Sequence, residues 1–269
     1  MLAVVAVVLA VVVIAFSGWL VVTYPPEADV EADSGDDATP VGDLGADPTD
    51  DLSPGADEDS DAGSDEGTGD DAVQVAVLGD GYTAGSDLGG EGPKGWPAVL
   101  AKRTDVEVTP YAVTGSGYVA GATGTTFPDR AEQLVDDWSA TGAGGPEDVV
   151  VVLGSRSDTA ADPAAVQQAA RRTLTLLERR LPEVTVVVVG PLWPTSFPPT
   201  TGGPEVRAAV QAAAEGAGVA YADPLADPVW LPEDNPAAVA EGGVLPTNLG
   251  HGVIATRVRD LLSAEGVLG

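Results

Sequence analysis

Two runs, DVVVVLG at 148–154 and EVTVVVVG at 183–190, restrict the architecture of this chain more than any other feature of it. Each is apolar almost from end to end and stops at a glycine. A strand with one solvated face alternates apolar and polar residues, whereas a strand covered on both faces does not need to. Continuous Val runs of this length therefore predict central strands with helices packed above and below.

The segments around them have the matching texture. VQVAVL (73–78), VEVTPYAV (106–113) and VAYAD (219–223) read as three further strands, the second placed at an edge by Pro110. Helical patterns fall between: 95–103, 129–138, 162–181, 204–218 and 248–266. In 129–138, Ala131, Leu134, Val135 and Trp138 share one face. The helix at 162–181 opens with Asp162 as a cap and Pro163 at the first helical position. Helices alternating with buried strands imply right-handed parallel crossovers and an α/β three-layer sandwich. In such sheets ligands bind beyond the carboxyl ends of the strands. The loops that follow the strands are therefore where chemistry is expected.

Charge divides the 269 residues into three parts. Residues 1–26 carry no charged side chain, and 22 apolar or neutral residues in a helix would cross a bilayer's hydrocarbon core. The length favours a retained membrane anchor over a cleaved signal peptide, whose apolar region is shorter. Residues 27–71 hold 18 of the 42 acids and no Lys or Arg, in a setting rich in Gly, Ser and Pro, which reads as a disordered acidic linker. Residues 72–269 form the folding part, with 24 acids against 12 bases. The formal net charge of -30 repels nucleic acid and anionic headgroups, which excludes both as partners. With no cysteine there are neither disulfides nor thiolate metal sites. Asp57, Asp59 and Asp61 alternate as in a calcium loop, but Ala62 and Thr68 occupy the positions that need Gly and Glu. No metal and no cofactor is expected.

The post-strand loops are GDGYTAG (79–85), TGSGY (114–118) and GSRSD (154–158), and GGVLPTNLGH (242–251) precedes the last helix. In this order and spacing, together with VVGPLWP (188–194) and YADP (221–224), they resemble the SGNH hydrolases, or GDSL-type esterases. The resemblance covers most of 73–265. It implies a flavodoxin-like sheet of five parallel strands and the chemistry of acyl transfer. That chemistry uses a serine nucleophile, a histidine base, an aspartate that orients the base, and an oxyanion hole built from amides and an asparagine.

Carried onto this sequence, the serine falls on Gly81, the asparagine on Ser157, the aspartate on Gly242 and the histidine on Leu245, while the oxyanion glycine, Gly115, is kept. None of the first four carries the reactive group that the family position supplies. The resemblance thus implies a domain with the frame of an esterase and without its triad. Asp80, Gly81, Gly115, Arg156 and Ser157 are the expected ligand-binding residues, and the only histidine, His251, is the fallback base. Thr83, Ser86 and Ser116 read as turn hydroxyls, and Trp96, Trp138 and Trp193 as packing residues. The expected protein is a single-pass, extracytoplasmic module at the cell envelope that binds a small acylated ligand or an envelope component. The alternative is a working esterase with relocated catalytic groups.

Overall fold

The computed structural model describes residues 72–268. The anchor expected at 1–26 and the linker at 27–71 lie outside the described residues. Among those described, no helix is long and apolar enough to cross a membrane.

Five strands form one parallel sheet: β1 (Gln74–Gly79), β2 (Glu107–Ala112), β3 (Val149–Leu153), β4 (Thr185–Val189) and β5 (Ala220–Ala222), in the order β2-β1-β3-β4-β5. The central strand β3 runs in register with β1, Val75 opposite Val149, and with β4, Val149 opposite Thr185. Its five residues are all buried, as the continuous Val run predicts. Pro110, which cannot donate to a ladder, sits in the edge strand β2.

Among the described residues five α-helices lie between the strands and a sixth follows them: α1 (Gly81–Ala84), α2 (Trp96–Arg103), α3 (Phe127–Thr141), α4 (Pro163–Arg180), α5 (Gly203–Ala217) and α6 (Asn248–Ala264). The side-chain period of two divides each strand between two cores. Ala76, Leu78, Val150, Val152 and Val188 face α3, α4 and α5, packing on Leu134, Leu174 and Val210. Val75, Val77, Val149, Val151, Leu153 and Val187 face α2 and α6, packing on Trp96, Leu100, Ile254 and Val258. This is the three-layer α/β sandwich expected. All five strands and five of the helices fall where the sequence puts them, with boundaries shifted by at most three residues. The residues after β1 make only the single turn α1, and α2 follows after a loop.

Candidate functional site

The carboxyl ends of β1 and β3 lie side by side, and the turns that leave them are built around two buried carboxylates. Asp80 caps α1, accepting the Tyr82 amide at 2.9 Å. It is 2% exposed and also accepts the backbone N–H groups of Ser155 and Arg156. The close approach depends on Gly154: a Cβ there would lie 2.7 Å from the Asp80 Cγ, and its φ of +133° disfavours other residues. Burial pushes the Asp80 carboxyl up to about 6, against the three backbone N–H donors, and Asp158 adds a smaller push.

Asp158 is the second carboxylate. It is fully buried and collects four donors: the amides of Tyr118 (2.7 Å), Val119 (3.0 Å) and Ala120 (2.7 Å), and the Ser155 hydroxyl (2.6 Å). One side chain thus fixes the loop after β2 to the turn after β3. Ser155 has φ +88°, the one non-glycine residue in the left-handed region among those described. Its hydroxyl bond to Asp158 holds that conformation.

Above these turns opens a cleft of about 450 Å3. Gly81, Gly115, Ser157 and Leu245, expected as site positions from the sequence, all line it, with Asp80 and Arg156. The amides of Gly81 and Gly115 donate to no acceptor among the described residues. The opposite wall comes from the loop after β4, through Pro198, Pro199, Thr200 and Thr201, and from Val244. Two ties hold that wall together. The Tyr82 hydroxyl donates to the Val244 carbonyl, and the Phe197 ring lies against the backbone of Gly243. Burial pushes the Tyr82 phenol up, and the Arg156 charge works against that push.

Two of the expected positions lie away from the cleft. Gly242 is exposed, has φ +96° and does not line it. The reversal at 240–245, closed by the Ala240 amide on the Leu245 carbonyl and the Gly243 amide on the Ala240 carbonyl, turns it outward. His251 is 1% exposed and lies in the first turns of α6, also outside the cleft lining. Its Nδ1 accepts the Trp96 amide at 3.3 Å, and the ring also hydrogen-bonds the Gly89 carbonyl. Burial lowers its pKa to about 4, with the Gly89 carbonyl working the other way. It is a neutral brace between α6 and the start of α2, apart from the residues that line the cleft.

The hydroxyls behave as turn residues. Ser116 donates to the Val113 carbonyl at 2.6 Å, Thr83 accepts the Trp96 indole N–H at 3.3 Å, and Ser86 accepts the Leu88 amide at 3.2 Å. Trp96, Trp138 and Trp193 are buried. No cluster of three or more potential metal ligands occurs among the described residues. A larger depression, about 610 Å3, lies at the amino edge of the sheet, beside Gln74, Trp138 and Asp148. Its Asp148 is spent on the amides of Gln74, Gly144 and Gly145, so the smaller cleft holds the open polar groups.

Sequence reasoning missed Tyr82 and the Pro198–Thr201 wall. A tyrosine one residue beyond the Gly-Asp was visible, but nothing local signals a bond that spans 162 residues.

The model of the GDSL-like lipase/acylhydrolase family matches residues 77–253. The chain belongs to this family. Among curated proteins it is 36% identical over 203 residues to GDSL lipase Rv0518 of Mycobacterium tuberculosis, a match covering 71% of this chain and 82% of that one. Among solved structures it resembles a member of the lipolytic G-D-S-L family from Veillonella parvula, with TM-score 0.54 and 16% identity, over 71% of this chain and 99% of the other. A psychrotrophic esterase EstA from Pseudoalteromonas, inhibited by monoethylphosphonate, aligns with TM-score 0.53 and 10% identity, over 71% and 97%. At these identities the structural likeness speaks for the fold. The all-parallel sheet flanked by helices is that of the GDSL family.

Proposed function

We propose that this GDSL-family protein is a non-hydrolytic binding module, held at the cell membrane by its first residues with the folded domain outside. The ligand is an acylated small molecule or an envelope component bearing one, taken into the cleft at the carboxyl edge. One observation carries the reading: Gly81, Gly115, Ser157 and Leu245 converge on a single open cleft whose lining contains no imidazole. Gly81 offers no oxygen to attack a carbonyl and Leu245 no nitrogen to take a proton. In a triad that acts as a unit, removing one member already costs about 10⁴ to 10⁶ in rate. What remains is the part of the machinery made of backbone: open amides at 81 and 115, and a weak donor in Ser157. Such groups hold a carbonyl oxygen without cleaving the bond beside it.

The test combines turnover of p-nitrophenyl acetate, fluorophosphonate labelling and calorimetry against acylated sugars, all on the full chain. No turnover, no label and measurable binding are the expected results. A second reading is favoured by Asp80, a cleft carboxylate whose pKa of about 6 suits a general base. In that case a hydroxyl of Ser157 or Thr114 would take the label, and Asp80→Asn would abolish it.

A further inference from the structure

Arg156 is the only cation that lines the cleft, and it has no partner. The ion pairs among the described residues are Arg180–Asp136, Arg207–Asp223 and Arg259–Asp260, and no hydrogen bond from the Arg156 guanidinium is present. Most of the twelve bases of this segment lack an ion-pair partner among the described residues, and Arg156 is the one of them that lines the cleft. The two nearby carboxylates are committed elsewhere. Asp80 receives backbone amides, that of Arg156 among them, and Asp158 receives three amides and a hydroxyl. Both buried acids therefore act on the turn that presents Arg156, one by pinning its own N–H, the other by holding Ser155 at φ +88°. These bonds fix the backbone that carries Arg156, which is half-buried at the cleft.

The walls differ in character. Arg156 and Ser157 join the amides of Gly81 and Gly115 at the polar part of the lining, where Asp80 is held by backbone donors, while Pro198, Pro199, Val244 and Leu245 add apolar surface beside Thr200 and Thr201. A guanidinium binds carboxylates through two parallel N–H donors, and open amides beside it add further donors.

We propose that the cleft takes a free aliphatic carboxylate in preference to its ester, the acid head meeting Arg156 and the amides of Gly81 and Gly115, and the chain lying along Pro198, Pro199, Val244 and Leu245. This rests on the reading of the cleft as a binding site and specifies its ligand: the product side of acyl cleavage rather than the substrate side. Leu245, at the position that the family gives to its histidine, supplies apolar wall.

Calorimetry on the full chain at pH 7.5 tests it with hexanoate, methyl hexanoate and inorganic phosphate as probes. Hexanoate is expected to bind at least about tenfold more tightly than the ester, as for a hydrogen bond to a charged group. Inorganic phosphate, which has no chain, is expected to bind more weakly than hexanoate. Arg156→Gln should abolish the preference for hexanoate over the ester, and Arg156→Lys should keep part of it. Melting curves identify a variant that fails to fold, and the wild-type comparison of acid with ester stands without either variant. Equal binding of acid and ester, or a preference that survives Arg156→Gln, would overturn the inference while leaving the cleft a binding site. Phosphate binding as tightly as hexanoate would remove the chain-binding wall. No binding of any probe, together with none of the acylated sugars, would remove both readings.

Discussion

At the scale of single residues, Asp80 and His251 are buried ionisable groups whose effects on stability have opposite signs. The Asp80 pKa is raised to about 6 from an ordinary 3.8, so its contribution is full below 3.8 and is lost as pH rises through 6. The His251 pKa is lowered to about 4 from 6.5, so its contribution is full above 6.5 and is lost as pH falls through 4. A displacement of about two pKa units corresponds to about 3 kcal/mol in either case. The two slopes therefore oppose each other between about pH 4 and 6. Asp80→Asn should unmask a loss of stability on acidification, and His251→Gln should unmask a gain, both read from urea midpoints across that range. Position 81 is open to a side chain: the nearest atom to a Cβ there is the Thr114 Cγ2 at 3.4 Å. Gly81→Ser should fold normally and stay inactive, and adding Leu245→His should give detectable turnover of p-nitrophenyl acetate. Gly242→Asp should instead cost about 1 kcal/mol in thermal or chemical melts, because φ +96° penalises any Cβ.

At the scale of elements, α3 shows how local signals and packing combine. Thr126 and Asp129 form a capping box, the Asp129 carboxylate taking the Thr126 amide at 3.0 Å and the Thr126 hydroxyl taking the Asp129 amide. Thr126→Ala should cost about 1 kcal/mol, measured by denaturant melts. Leu134, fully buried on the same helix, should cost about 2–5 kcal/mol on truncation to Ala, so packing outweighs the cap. Elements of this kind were legible in the sequence because their cause is local: a Val run, a cap, a glycine stop. The site was legible as far as motifs reach. Gly81, Gly115, Ser157 and Leu245 were each found from their loops, and they do meet. Gly242 stands apart from the cleft because of the reversal at 240–245, whose backbone bonds no motif spells. The wall at Pro198–Thr201 comes from a loop without periodicity, whose place depends on Phe197 reaching Gly243.

At the scale of the whole molecule, charge is the dominant property. Residues 72–269 carry twice as many acids as bases, and only three ion pairs occur among the described residues. Self-repulsion of this size should be relieved by screening, so the melting temperature should rise between 20 and about 200 mM NaCl. A temperature that stays level or falls would mean that the acids are held apart more favourably than their number implies. The parallel sheet has a directional consequence as well. Ala72 enters beside Trp138 and Asp148 at the amino ends of the strands, whereas the cleft opens at their carboxyl ends, one strand length of about 20 Å away. The polypeptide thus enters the described domain at one pole, and the mouth of the cleft lies at the other, clear of the entry point.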